Sequence, residues 1–146
     1  MESKWPNCPR YFRSDYQNLK TKFTGAENIE NNWSQSMQDM FVLSMLDGKR
    51  NGVYVEIGAD QPRVINNSYL LEKDFDWAGV SFELDGNKVI YFNSIRRNKC
   101  LCEDATTYDY KFLFEDRNFP KQIDYLQLDI EPAEGTLAAL KALPLD

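Results

Sequence analysis

NGVYVEIGAD, residues 51–60, gives the clearest indication of the fold. Asn51-Gly52 is a turn signal, and residues 53–57 form a short apolar run that is rich in β-branched side chains. Such a run predicts a buried strand of the kind that parallel sheets contain, because helices cover both faces of those sheets. Gly58 then ends the strand, and its missing side chain would let a ligand approach the backbone.

The segments around this strand alternate between helical and extended patterns. Upstream, Ser34 is a suitable N-cap for one helix. The apolar face expected for that helix is Met37, Met40, Phe41, Ser44 and Met45. Downstream, we expect a helix over 69–75, a strand over 80–83 and a helix capped by Asp85 that continues to Ile95.

The last third of the chain continues the alternation. Strands are expected over 100–102 and 123–130, whereas residues 106–115 fit a helix or a strand. Pro132 suits position N1 of a closing helix with Leu137, Leu140 and Leu143 at three-residue spacing. The whole pattern predicts an α/β, Rossmann-like domain: a mostly parallel sheet with helices on both faces.

Length and composition limit the number of domains and the kinds of partner. The 146 residues fit one domain, with residues 1–33 as a polar N-terminal capping arm and residues 34–146 as the sheet domain. A net charge of −6 disfavours nucleic acid as a partner, and apolar runs are far shorter than the roughly 20 residues that span a bilayer. No apolar signal core lies near Met1, and we expect Cys8, Cys100 and Cys102 to be reduced, buried thiols. Both features predict a cytoplasmic protein.

Acidic residues stand at the ends of four successive predicted strands. Asp60 follows the first strand, Glu83 ends the second, Glu103-Asp104 follows the third, and Asp129 and Glu131 close the fourth. In an open parallel sheet the ligand site lies outside the carboxyl ends of the strands. Carboxylates there suit a ligand with ribose hydroxyls, an exocyclic amine and positive charge, as in S-adenosylmethionine. A dinucleotide fits less well, because the loop after Ile57 has one glycine and not the three that hold pyrophosphate.

Four blocks of the chain resemble the FkbM family of S-adenosylmethionine-dependent methyltransferases. They are SQSMQD, KRNGVYVEIGAD, NNSYLLEKDFDWAGVSFELD and IDYLQLDIEPAEG, and they are spread over about three quarters of the sequence. The resemblance implies that Glu56, Gly58, Ala59 and Asp60 belong to the cofactor loop. It also implies that Glu83 binds the ribose and that Asp104 contacts the adenine. Asp129 and Glu131 would be the acidic pair beside the methyl-transfer centre, acting on a small-molecule or glycan acceptor.

The chain departs from that family pattern in its loops and its length. Pro62 stands in the cofactor loop, and Pro132 stands where the family has glycine. About three further βα units of some 30 residues each would complete the family's sheet. We therefore expect a domain that lacks its C-terminal strands, whose strand 123–130 is an open edge that a second copy of the chain could cover.

The absence of histidine restricts the chemistry. It excludes a Ser-His-Asp triad and a Cys-His pair, so Asp129, Glu131 or a water held by them is the candidate base for an acceptor hydroxyl. No metal site is expected, since two carboxylates at this spacing more often form a solvated strand end. Two other functions stay open: a non-catalytic module that binds cofactor or a partner through the open edge, and a nicotinamide-dependent oxidoreductase.

Overall fold

The computed structural model describes residues 9–116 and 118–145. Four strands form one sheet in the order β3-β2-β1-β4: β1 is Val53–Ile57, β2 is Ala78–Phe82, β3 is Lys99–Leu101 and β4 is Tyr125–Leu128. All three neighbouring pairs are parallel. The helices are α1 Gln38–Met45, α2 Tyr69–Phe75, α3 Gly86–Ile95, α4 Tyr110–Glu115 and α5 Ala133–Ala142. The predicted α/β architecture with a parallel sheet is confirmed.

The strand order reverses at β1. The chain runs outward from β1 through β2 to β3 and then returns to place β4 on the other side of β1. The register aligns Ile57 with both Phe82 and Leu128, so the carboxyl ends of these three strands meet at one edge. This is the switch point at which open α/β sheets bind ligands.

Alternating side chains of β1 build one core on each face of the sheet. Tyr54 packs with α1 and α2 in a cluster that includes Leu43, Leu71 and Trp77. Val55 and Ile57 pack on the opposite face, in a cluster that α4 and α5 complete. All five residues of β1 are buried, which is why this strand could be predicted within its observed bounds.

The described part of the N-terminal arm lies against the first of these cores. Two 3₁₀ helices, Arg13–Asn18 and Ala26–Asn28, place Tyr11, Phe23 and Ile29 in the same cluster as α1 and α2. The first eight residues, Cys8 included, lie outside the described residues. The division of the chain at residue 33 stays a prediction.

The predictions for α1 were wrong about its cap and its buried face. Its N-cap is Met37, in a left-handed conformation, and not Ser34. Ser34 instead donates its hydroxyl to Asp39 at 2.5 Å, and that carboxylate also accepts the backbone amide of Trp33 at 2.8 Å. Because Asp39 is drawn inward, the buried face becomes Asp39, Met40, Val42 and Leu43. Phe41 and Met45 are left 66% and 67% exposed.

Several element boundaries differ from the predicted ones. β2 is Ala78–Phe82 rather than 80–83, because Ala78 and Gly79 also pair with β1 and Glu83 follows the strand. Gly79 lies against the ring of Tyr54, where a Cβ would come within 2.6 Å of ring carbons. β3 and β4 occupy 99–101 and 125–128 rather than 100–102 and 123–130, and the ambiguous segment 106–115 contains α4.

The predictions for the closing helix and for one cysteine also need correction. Pro132 is the N-cap of α5 and not its first helical residue, and Leu137 and Leu140 are exposed while Leu143 is buried. The buried contact of α5 comes instead from Ala139, whose small side chain allows close packing on the sheet. Cys100 is buried as expected, whereas Cys102 is exposed.

Across the described residues, none of the helices has the length and apolar character needed to cross a membrane.

Candidate functional site

A cavity of about 570 Å³ opens at the carboxyl ends of the strands. Its walls are the segments that follow the four strands: residues 58–60, 83–84, 103–106 and 129–131. This volume lies in the range of about 300–1,000 Å³ that is usual for small-molecule sites. The fold thus places a cavity of ligand size at the switch point of the sheet.

All eight residues that the sequence analysis proposed as site residues line this cavity. They are Glu56, Gly58, Ala59, Asp60, Glu83, Asp104, Asp129 and Glu131. They come from segments up to 75 positions apart in the chain, and the parallel topology brings them together. Their roles toward a ligand stay predictions.

Gly58 shapes the floor of the cavity. Its φ of +83° lies in the left-handed region, and a Cβ at this position would collide with the carbonyl oxygen of Asp129. The amides of Gly58 and Ala59 both donate to the carbonyl of Phe82, at 3.0 and 3.1 Å. The glycine therefore permits close contact between two strand ends, while its amide is already engaged within the protein.

The carboxylate of Glu83 is held at the end of β2 by backbone amides. One oxygen accepts from the amide of Asp60 at 3.0 Å, and the other accepts from the amide of Asp85 at 3.0 Å. A carboxylate has about four lone-pair positions, so each oxygen can accept a further hydrogen bond. The carboxylate is thus fixed in position while both of its oxygens can still accept hydrogen bonds.

Asp104 lies on the turn after β3 and lines the same cavity. The Thr106 hydroxyl, at 2.6 Å, and the Thr106 amide, at 2.8 Å, donate to its carboxylate and lower its pKa. Asp104 is solvent exposed, as are Asp129 and Glu131 on the loop after β4. These three carboxylates are accessible from the cavity mouth.

Glu56 differs from the other acids because it is completely buried. Its carboxylate accepts hydrogen bonds from the Ser81 hydroxyl at 2.8 Å, the Ser68 hydroxyl at 2.9 Å and the Asn66 amide at 3.1 Å. Burial raises its pKa, against the lowering effects of Arg96 and of these hydrogen bonds. Glu56 thus joins the inner wall of the cavity to α2 and β2.

A buried ion pair that the sequence analysis missed supports this wall. The Arg96 guanidinium, whose side chain is fully buried, pairs with Glu72 at 2.9 Å. It also donates to the Asn66 side chain, the Ser68 hydroxyl and the Pro62 carbonyl, each at 3.0 Å. Arg96 is the C-cap residue of α3, and its side chain turns inward to hold the segment between β1 and α2.

The charge of the cavity wall is strongly negative. Lys88 is the basic residue that lines it, and its ammonium lies 2.5 Å from a carboxylate oxygen of Asp60, a hydrogen bond that raises the Lys88 pKa. Seven acidic residues line the same cavity: Glu56, Asp60, Glu83, Glu103, Asp104, Asp129 and Glu131. Their combined field favours a ligand that carries positive charge.

The acids are nevertheless spread along the walls. Within residues 9–116 and 118–145, no three His, Cys, Asp or Glu side chains come together in a group that could hold a metal ion.

Two amide side chains in the wall were also missed. Asn67 and Gln127 are 8% and 9% exposed, and their side-chain oxygens are buried without a hydrogen-bond partner among the described residues. The sequence signal for Gln127 is its position in an apolar strand, where a polar residue needs a partner.

Comparisons of this chain with protein-family models, with curated proteins and with solved structures found no match.

Proposed function

We propose that this chain is an S-adenosylmethionine-dependent methyltransferase with a Rossmann-like methyltransferase fold, which methylates a hydroxyl of a small molecule or glycan. One observation carries the proposal: the acids and the glycine that the sequence pattern suggests line a single cavity at the switch point of the sheet. The four-stranded parallel sheet is compatible with that fold.

The chemistry of the wall fits the cofactor's parts. Glu83, with both oxygens oriented by backbone amides, would accept the two ribose hydroxyls. Asp104, whose ionised form Thr106 stabilises, would accept the exocyclic amine of adenine. The excess of acids in the wall would favour the sulfonium and ammonium charges.

The cofactor supplies the methyl group, and the protein has little covalent chemistry to perform. Its residues would position the acceptor hydroxyl in line with the methyl carbon and exclude water. Asp129 or Glu131, or a water that they hold, would take the proton that this hydroxyl loses, because the chain has no histidine to do so.

Calorimetric titration with S-adenosylhomocysteine tests the proposal. We expect micromolar binding to the wild-type chain and a roughly 10- to 100-fold loss in Glu83→Gln, since a hydrogen bond to a charged group contributes about 1.5–3 kcal/mol. Glu103→Gln is the matched control, because it removes the same charge from the same cavity wall. Absence of binding to a folded sample, or an equal loss in both variants, would contradict the proposal.

A second candidate is a non-catalytic module that binds its cofactor or a partner through the sheet edge. It is favoured by β4, which pairs only with β1 among the described residues and is an edge strand. A second copy of the chain covering that edge would appear as a dimer in light scattering. Retained S-adenosylhomocysteine binding without methyl transfer to any hydroxyl acceptor would support this module over the enzyme.

The nicotinamide-dependent oxidoreductase is the weaker alternative, because the first loop holds a single glycine. The same titration with NADH should give no heat of binding.

A further inference from the structure

The turn that precedes β1 carries an asparagine directly before a glycine. Asn51 is the one asparagine in the sequence that a glycine follows. Its φ of +56° lies in the left-handed region, which asparagine adopts more readily than most residues that have a Cβ. Its backbone amide donates to the Phe75 carbonyl at 2.9 Å, and the residue is solvent exposed. The carboxamide of Asn51 is therefore open to water and adjacent along the chain to the Gly52 nitrogen.

Gly52 is suited to react with that carboxamide. Because it has no side chain, no Cβ hinders the approach to its backbone nitrogen. Among the described residues, the Gly52 amide donates to no backbone carbonyl, whereas the Gly52 carbonyl accepts from the amide of Ala78 at 2.9 Å. The nitrogen can therefore attack a neighbouring carbonyl carbon without first losing a backbone hydrogen bond.

Two aspartates also precede glycines, but both of their carboxylates are engaged. Asp47 accepts from the amide and the hydroxyl of Thr24 at 3.1 and 3.3 Å. Asp85 accepts from two amides at the start of α3 at 2.9 and 3.4 Å. Within the part of the chain that the structure describes, the Asn51 side chain makes no such hydrogen bond. A carboxamide is also a better electrophile than an ionised carboxylate, so Asn51 is the reactive position of the three.

We propose that Asn51 is a modification site, at which the side chain loses ammonia to form a ring with Gly52 and is then hydrolysed. The Gly52 nitrogen forms a bond to Cγ of Asn51, and the bond from Cγ to the side-chain nitrogen breaks. The proton of the Gly52 amide ends on the leaving nitrogen, which departs as ammonia. Water then opens the cyclic imide at either of its carbonyl carbons. One product is aspartate with the original backbone, and the other is isoaspartate, whose backbone runs through Cβ and Cγ and is one atom longer.

The longer backbone conflicts with the packing of this turn. Gly52 lies so close to the Trp77 ring that a Cβ would come within 2.5 Å of a ring atom, and Trp77 is fully buried. The hydrogen bond from Ala78 to Gly52 also stands at the start of the pairing between β1 and β2. A displacement of Gly52 therefore disturbs both the core and the central strand. The isoaspartate form is accordingly less stable than the aspartate form, and the turn limits the lifetime of the folded chain.

Peptide mapping of the folded chain, aged at neutral pH and body temperature, tests the proposal. Trypsin releases residues 51–63 as one peptide, since Arg50 precedes it and Arg63 ends it. We expect this peptide to gain the mass difference between an amide and an acid. The rate should be roughly tenfold or more above that at the exposed Asn18 and Asn87, which corresponds to a barrier about 1.4 kcal/mol lower.

Asn51→Gly is the matched control, because glycine keeps the positive φ and removes the carboxamide. Its peptide should keep its mass through the same ageing. An unmodified Asn51 in the folded chain, or conversion no faster than at Asn18 and Asn87, would overturn the proposal. Conversion only in a chain unfolded by urea would overturn it as well, because the fold would then protect the turn.

The stability of the products tests the conflict with Trp77. Both products carry one more negative charge than the starting protein, so ion exchange separates them from it. The isoaspartate form should unfold at a lower urea concentration than Asn51→Asp, which has the same charge and the original backbone. Equal midpoints would overturn the limit on lifetime. All of these readouts are made without S-adenosylmethionine, so they stand or fall separately from the proposed function.

Discussion

Replacing Arg96 with methionine should destabilise the protein more than any other single arginine change in its neighbourhood. The side chain is fully buried, pairs with Glu72 at 2.9 Å and donates to four further oxygens at 3.0 Å, including the Tyr54 hydroxyl. Methionine fills a similar volume but leaves these acceptors without their donor. Removing one member of a buried ion pair costs about 3–5 kcal/mol.

The adjacent Arg97 provides the matched control. Its side chain is 58% exposed, and its guanidinium lies 3.8 Å from Asp76. Solvent screens such a pair, which contributes about 0–1 kcal/mol. Arg97→Met keeps the same change of charge and shape one residue further along the chain, so the difference between the two variants isolates the buried network.

Urea unfolding followed by circular dichroism measures the free energy of unfolding of the wild-type chain and of both variants. Since the free energy of unfolding of a domain of this size is about 5–15 kcal/mol, Arg96→Met should lose a large fraction of it. A loss within about 1 kcal/mol of that in Arg97→Met would refute the argument that Arg96 holds the segment between β1 and α2.

Three further predictions concern single positions. Gly58→Ala should cost about 1–3 kcal/mol in urea unfolding, because of the positive φ and the collision with the Asp129 carbonyl, and an unchanged midpoint would contradict this. Burial raises the pKa of Glu56 above its ordinary 4.5, so the folded protein binds this proton more tightly than the unfolded chain does. The contribution of Glu56 to the free energy of unfolding is therefore full below pH 4.5 and is lost as the pH rises through the raised pKa. The stability of Glu56→Gln should lack that loss above pH 4.5, and parallel wild-type and variant profiles would oppose the assignment. Asp85→Ala should lose about 1 kcal/mol by removing the cap of α3, whereas Asp85→Asn should retain most of it, and equal melting temperatures for all three proteins would count against the cap.

The features that could be predicted from the sequence depend on local patterns. β1 is a short run rich in β-branched side chains that ends before a glycine, and Asp85 caps α3 through the amides of Asn87 and Lys88. The residues of the cavity could also be grouped in advance, because carboxyl ends of parallel strands meet at one edge whatever the details of packing.

The features that were missed depend on contacts between distant residues. Arg96 meets Glu72 across 24 positions, and nothing in the local pattern distinguishes it from the exposed Arg97. The orientation of α1 follows from Asp39, whose burial depends on Ser34 and on the arm that precedes it. Periodicity alone favoured Phe41 and Met45 as buried residues, because it assigns the inward face from apolar side chains only.

We propose that the cavity at the strand ends binds S-adenosylmethionine. Two-dimensional ¹H–¹⁵N NMR of the labelled chain, titrated with S-adenosylhomocysteine, shows which amides respond to the ligand. We expect the largest shifts on the amides of Gly58, Ala59, Asp60 and Asp104, which line the cavity. The amide of Phe41, in the separate groove between the arm and α1, should stay unchanged. Shifts concentrated at that groove, or no shifts from a folded sample at millimolar ligand, would show that this cavity is not the cofactor site.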